Sequence, residues 1–171
     1  TDALTGLGNR RRFMLELDEA LVDPGAPFVL VVFDLDGFKA YNDSFGHSAG
    51  DALLARVAGR LDDAVEREGR AYRLGGDEFC VLAAATNFRT DLPERAAAAL
   101  TEEGEGFAVS CSYGAVLMPS EAARLSEALS MADHRMYLHK QRHRAPVDPV
   151  EALGAARDPL SPVADVANLA E

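Results

Sequence analysis

The sequence predicts an α/β fold of the α+β kind, in which helices pack on a central mixed sheet. Three observations carry this. The six-residue apolar run Phe28-Val29-Leu30-Val31-Val32-Phe33 reads as a strand buried on both faces. Two short strand-like runs either side of Gly75-Gly76-Asp77-Glu78 read as a β-hairpin. Segments of helical periodicity alternate with them, giving the order helix, strand, helix, hairpin, helix, strand, helix.

Each element has its own signal. Phe13, Leu17 and Leu21 recur at four-residue steps with Met14 beside them, so Arg10 to Val22 is an amphipathic helix, broken by Asp23-Pro24-Gly25-Ala26-Pro27. The strand from Phe28 gives way at Asp34-Leu35-Asp36-Gly37, and Phe38 to Phe45 forms a short helix and turn. Leu53, Leu54, Val57, Ala58 and Leu61 share one face of the next helix. Tyr72-Arg73-Leu74 and Phe79-Cys80-Val81-Leu82 are the hairpin strands. Asp91-Leu92-Pro93-Glu94 has the spacing of a capping box opening an alanine-rich helix. Phe107 to Met118 is a long strand, and a last helix from about Ser120 to Lys140 turns Leu125, Leu129, Ala132 and Met136 to the core. No internal repeat interrupts this order.

The 171 residues suit one domain with a substantial core plus a tail, and 48% hydrophobic with 26% charged residues is the balance of a soluble globular chain. Beyond Arg144 the composition changes: Pro146, Pro149, Pro159 and Pro162 are half of the eight prolines. The expected organisation is therefore a domain over 1–144 and a Pro/Ala-rich linker over 145–171. A helix from Ser161 or Pro162 would there open a further domain. The formal net charge is −11. The tail holds Asp148, Glu151, Asp158, Asp165 and Glu171 against Arg157, or −4, which leaves −7 for the body. That balance argues against a nucleic-acid or anionic-membrane surface, while a few local cations suffice for one triphosphate. The apolar run is too short to span a bilayer and Thr1 to Arg12 lacks a signal-peptide core, so the expected location is cytoplasmic with no membrane contact. Cys80 and Cys111 sit in apolar strand-like runs and read as buried free thiols.

Two clusters carry chemistry. Asp34-Leu35-Asp36-Gly37-Phe38-Lys39 directly follows the most hydrophobic strand, where carboxylates are held rigidly at a cleft edge and suit a hard cation such as Mg²⁺. Acids that merely terminate the strand are the plainer alternative. At Gly75-Gly76-Asp77-Glu78-Phe79, paired glycines let backbone approach a ligand, and adjacent carboxylates suit metal binding or proton transfer. An acidic hairpin turn alone is common; the two clusters together are specific.

From Asp2 to about Arg144 the chain resembles the GGDEF family of diguanylate cyclase domains. Asp2-Ala3-Leu4-Thr5-Gly6-Leu7 with Asn9-Arg10-Arg11 is similar to that family's entry sequence. Asp34-Leu35-Asp36, Phe38-Lys39, Asn42-Asp43, Gly46-His47 and Gly50-Asp51 follow at its spacings. The signature Gly75 to Phe79 is intact after Arg73-Leu74, and Ala132-Asp133, Tyr137, Lys140 and Arg144 match the closing helix.

The resemblance implies a largely antiparallel sheet like that of the nucleotide cyclase and polymerase palm folds. It implies condensation of two GTP into cyclic dimeric GMP, with release of two pyrophosphates, between two facing domains of a homodimer. Bacterial second-messenger signalling and further sensory or effector domains go with it. Asp34 and Asp77 would hold Mg²⁺, two ions per site with Mn²⁺ as the alternative, near the Leu35 carbonyl. Glu78 would deprotonate the ribose 3′-hydroxyl or ligate the second metal. Asn42 and Asp51 would read guanine. Phe38, Gly75 and Gly76 would line the substrate site, and Lys39, Lys140 and Arg144 would neutralise phosphate charge. His47 would support its loop; His134, His139 and His143 are expected to be solvated, and Tyr113 and Tyr137 to pack. One departure stands out: the family's Arg-x-x-Asp product-inhibition motif is replaced by Glu66-Arg67-Glu68-Gly69. A GTP-binding regulatory domain without strong turnover is the alternative function, and intact Asp77 and Glu78 argue against it. Asn42 and Asp51 disfavour an adenine-specific cyclase, and a purely structural module leaves the carboxylate spacing without purpose.

Overall fold

The structure, a computed structural model, describes residues 1–22, 26–85 and 91–144. The helix-breaking segment Asp23 to Pro27 lies partly outside them, and the expected linker over 145–171 wholly. In chain order the elements are β1 (Gly8–Asn9), α1 (Arg10–Val22), β2 (Phe28–Asp36), α2 (Phe38–Phe45), α3 (His47–Val65), β3 (Gly69–Gly75), β4 (Glu78–Ala84), α4 (Leu92–Ala99), β5 (Glu102–Gly104), β6 (Phe107–Met118) and α5 (Leu125–Arg144).

Six strands form one sheet in the order β1-β3-β4-β2-β6-β5. Only the β1–β3 pair is parallel; the others are antiparallel, so the mixed sheet expected from sequence is present. β2 lies in the middle, and its alternation sorts the core into two layers. Val29, Val31, Phe33 and Leu35 face one way, against Phe38 and Tyr41 of α2, Leu53 to Val65 of α3 and Leu92 of α4. Phe28, Leu30 and Val32 face the other, against Phe13 and Leu17 of α1 and Ala128 and Ala132 of α5. Covering both faces is what allows a strand with no polar residue before Asp34.

Three boundaries and one cap differ from the sequence expectation. β2 continues through Asp34 and Asp36, because pairing with β6 runs on to Asp36–Ser110 and the carboxylates find polar partners at the sheet's edge. The hairpin turn is two residues, Gly76-Asp77, since Gly75 and Glu78 already pair. Gly76 takes φ 53° and Gly75 φ 148°, backbone that side-chain-bearing residues seldom adopt. Asp91 stands at the N-cap of α4 without the side-chain capping bond of a capping box; its carboxylate accepts from Arg95 Nη1 at 3.2 Å. The last helix begins at Leu125, after a turn in which Glu121 accepts from Leu117 N at 2.7 Å and from Arg135 at 2.7 and 3.1 Å. The short strands β1 and β5 carry no sequence signal strong enough to be expected.

Candidate active site

The sheet register assembles the site. Antiparallel pairing sets Asp34 of β2 directly opposite Glu78 of β4 on one side and Ser112 of β6 on the other. Asp77 occupies the turn just beyond, where its carbonyl accepts from Leu35 N at 3.3 Å. α2 starts two residues after Asp36 and brings Phe38 and Lys39 over the same edge. α5 crosses the opposite face and delivers Lys140, whose ammonium donates to Asp34 and lies 3.1 Å from Asp36 Oδ1. Burial works against that ammonium, but its bonds to Asp34 and Asp36 outweigh it and hold the group above its ordinary pKa.

These residues border a cleft of 380 Å³ lined by Asp34, Leu35, Gly37, Phe38, Lys39, Ala40, Asp43, Asp77 and Lys140. A larger cavity of 710 Å³ lies against α1 and the outer ends of β3 and β4, but it contains none of the paired carboxylates or lysines. Chemistry rather than size selects the smaller cleft. Glu78, Gly75 and Gly76 are exposed beside Asp77 and do not line the cleft themselves. Asn42 is half-buried on α2 and Asp51 exposed on α3; neither lines the cleft itself. The Asn42 Oδ1 atom is buried against Gly50 with no hydrogen-bond partner. Arg144 ends α5, and its side chain is outside the described residues.

The donor set suits a hard divalent cation. It is all oxygen, from carboxylates on adjacent paired strands. Burial, together with the charge of Asp34, pushes the Asp77 carboxyl above its ordinary range, which a cation at this edge would relieve. Among the described residues no three His, Cys, Asp or Glu side chains converge to hold an ion by themselves.

The turn is braced from behind. Arg73 donates to the Gly76 carbonyl from Nε at 3.0 Å and from Nη2 at 2.8 Å, and reaches Asp2 Oδ1 at 3.1 Å from Nη1. The same Asp2 oxygen accepts from Thr5 N at 2.9 Å and Thr5 Oγ1 at 2.8 Å. Asp2, Thr5 and Arg73 stood in quoted motifs without an assigned role, and only the fold shows that they clamp one another. Asp36, part of the first acidic cluster, and Asp43, beside Asn42 in its motif, lie at or beside the site without an assigned role, and Ser112 is there unanticipated. Ser112 had one usable signal, as the polar member of the series Ser112, Gly114, Val116 and Met118 on one face of β6.

Other expectations divide. Cys80 and Cys111 are buried free thiols, pushed up by that burial. Tyr113 packs against Phe33, with ring centroids 6.1 Å apart, but Tyr137 is 57% exposed because it lies on the outer face of α5. His139 is half-buried rather than solvated, its ring tilted against that of Tyr113 with centroids 4.4 Å apart. His134 is exposed as expected, the side chain of His143 lies outside the described residues, and His47, expected to support its loop, is exposed at the start of α3.

A mixed, largely antiparallel sheet with paired carboxylates on a central strand and its hairpin, faced by Lys140, has the layout of a palm-like α/β domain. Comparison with known proteins makes it specific: the model of the family described as "Diguanylate cyclase, GGDEF domain" matches residues 1–146, and the chain belongs to that family. It is 42% identical over 159 residues to an uncharacterized protein in the hutH 5′ region of Streptomyces griseus, covering 85% of this chain and 64% of the relative. It is 36% identical over 155 residues to the diguanylate cyclase DgcP of Pseudomonas aeruginosa, covering 84% of this chain and 23% of that protein. Among solved structures, a sensory box/GGDEF family protein of Caulobacter crescentus superposes with TM-score 0.71 at 34% identity, covering 82% of this chain and 97% of that one. The chain spans from 19% to 64% of the length of three of the curated relatives it matches. Among the described residues no helix is long and apolar enough to cross a membrane.

Proposed function

We propose that this domain is a diguanylate cyclase that joins two GTP into cyclic dimeric GMP, with two such domains facing each other as a homodimer. The observation that carries the reading is the register that sets Asp34 opposite Glu78, with Asp77 in the adjoining turn and Lys140 across the cleft. Mg²⁺, or Mn²⁺ in its place, held by Asp34, Asp77, Glu78 and the Leu35 carbonyl, would supply charge neutralisation at the triphosphate and favour the ionised 3′-oxygen.

The chain's own residues do the rest. Lys39, Lys140 and Arg144 bind the terminal phosphates, while Phe38 and the Gly75-Gly76 turn shape the floor. Asn42 and Asp51 read the guanine, since a carboxylate accepts from its N1–H and 2-amino groups and adenine offers no such pair. Glu78 takes the 3′-hydroxyl proton as that oxygen attacks the α-phosphorus of the partner domain's GTP. The P–O bond to pyrophosphate breaks, and a second, equivalent step closes the ring. Catalysis is mainly positioning and charge stabilisation. Conversion of GTP but not ATP to a cyclic dinucleotide tests the assignment, and equal use of both would remove the guanine reading.

Guanine selection depends on a close approach. A Cβ at Gly50 would lie 1.8 Å from Asn42 Oδ1, so any side chain there displaces the Asn42 amide. Gly50→Ala is expected to keep the fold, because alanine is the better helix former, and to raise KM for GTP about tenfold. Steady-state kinetics with GTP and ATP check it; an unchanged KM would free Asn42 of the role.

Product feedback through the usual motif is expected to be absent, since Glu66 and Gly69 replace its Arg and Asp. A Cβ at position 69 would lie 2.3 Å from the Leu82 carbonyl, so the missing carboxylate has no ready place there. Turnover is expected to hold steady as cyclic dimeric GMP is added. Inhibition abolished by mutating Arg67 or Arg70 would show a functioning site there.

A further inference from the structure

We propose that Ser112 and Asp36 form a positioning pair that holds the Lys140 ammonium in place for the terminal phosphates of the bound nucleotide. The inference rests on the reading of the cleft as a GTP site. Ser112 is fully buried, the only buried polar side chain among the described residues. A hydroxyl in that position needs a partner, and its Oγ–H donates to Asp36 Oδ2, its diagonal neighbour across the β2–β6 pairing. The other Asp36 oxygen lies 3.1 Å from Lys140 Nζ.

Asp36 is therefore held by one oxygen, through the Ser112 hydrogen bond, while its other oxygen has no hydrogen-bond partner and faces Lys140 as an ion pair. Asp36 accordingly serves the lysine, although it shares a strand face with Asp34. Lys140 also donates to Asp34, the carboxylate read here as serving the cation. Once Asp34 turns to that task, Asp36 is the partner left to hold the ammonium. A lysine head sits on a four-carbon stem with much rotamer freedom, so an anchored counter-charge sets where it starts. Ser112 fixes the rotamer of Asp36, and Asp36 supplies the charge. Neither side chain touches the nucleotide; both act through Lys140.

A merely structural role would weaken every ligand alike, whereas this one acts only on the β- and γ-phosphates. The test is calorimetric titration of the wild type, Ser112→Ala, Ser112→Thr and Asp36→Asn with two probes in Mg²⁺. One probe is the α,β-methylene analogue of GTP, which cannot be cyclised, and the other is GMP, which lacks the terminal phosphates. Ser112→Ala and Asp36→Asn are expected to weaken the triphosphate analogue about tenfold and leave GMP within about twofold, as loss of a hydrogen bond to a charged group predicts. Ser112→Thr, which keeps the hydroxyl, is expected to recover most of the affinity, and thermal melts identify any variant that fails to fold. If Ser112→Ala does not fold, the near-isosteric Asp36→Asn carries the comparison. Equal weakening of both probes, or an unchanged triphosphate affinity in a folded variant, would overturn the pair. Failure of the wild type to bind the triphosphate analogue would instead sink the GTP reading, and this inference with it.

Discussion

Glu78→Gln is expected to lower the rate of cyclic dimeric GMP formation by roughly two to four orders of magnitude, the range for losing a positioned general base. GTP binding is expected to fall far less than turnover, because Asp34, Asp77, Lys39 and Lys140 line the cleft and stay in place, whereas Glu78 is exposed beside it. The substitution keeps size and hydrogen-bonding capacity and removes only the charge. Single-turnover kinetics at saturating GTP separate the two effects. A fall confined to KM would mean that Glu78 binds substrate and takes no proton.

Gly114→Ala is expected to be the most damaging single-methyl change in the sheet. A Cβ at this position of β6 would lie 1.9 Å from the Ala132 carbonyl oxygen and 2.7 Å from the Met136 amide nitrogen. Both obstacles are backbone atoms of α5, so no rotamer change relieves them and the helix must lift from the sheet. Overpacking of this severity costs about 3 kcal/mol, and for a chain of this size lowers Tm by roughly 6–12 °C. Lys140 is one turn beyond Met136 on the same helix, so GTP affinity should fall along with stability. Thermal denaturation checks the first effect, and a Tm within a degree or two of wild type would show that α5 can shift freely.

The residues that announce this domain are local. Phe28 to Phe33, the glycine-containing hairpin turn and the helical periodicities are each visible within a few positions, so the element order could be written from sequence. The strand ended too early in that reading because Asp34 and Asp36 look like terminators. Their carboxylates are tolerated in β2 only because Lys140 and Ser112 come to meet them from 106 and 76 residues away. The start of α5 was misplaced for a similar reason, as Glu121 binds Leu117 N and Arg135 and so holds a turn where periodicity alone would continue a helix. The clamp of Asp2 on Arg73 and of Arg73 on Gly76 joins three motifs whose proximity no single one reveals. Pairings across the sheet set the site, and a periodic reading of one strand at a time does not contain them.

The central claim is that these carboxylates carry cyclisation of GTP. Its most direct test is to incubate the purified domain at high concentration with GTP and Mg²⁺, beside an Asp77→Ala, Glu78→Ala control, and to separate the products by chromatography. Cyclic dimeric GMP from the wild type and none from the control is the predicted result. GTP that binds yet yields no product, even when two domains are tethered to face each other, would contradict it and leave a regulatory GTP-binding domain in its place.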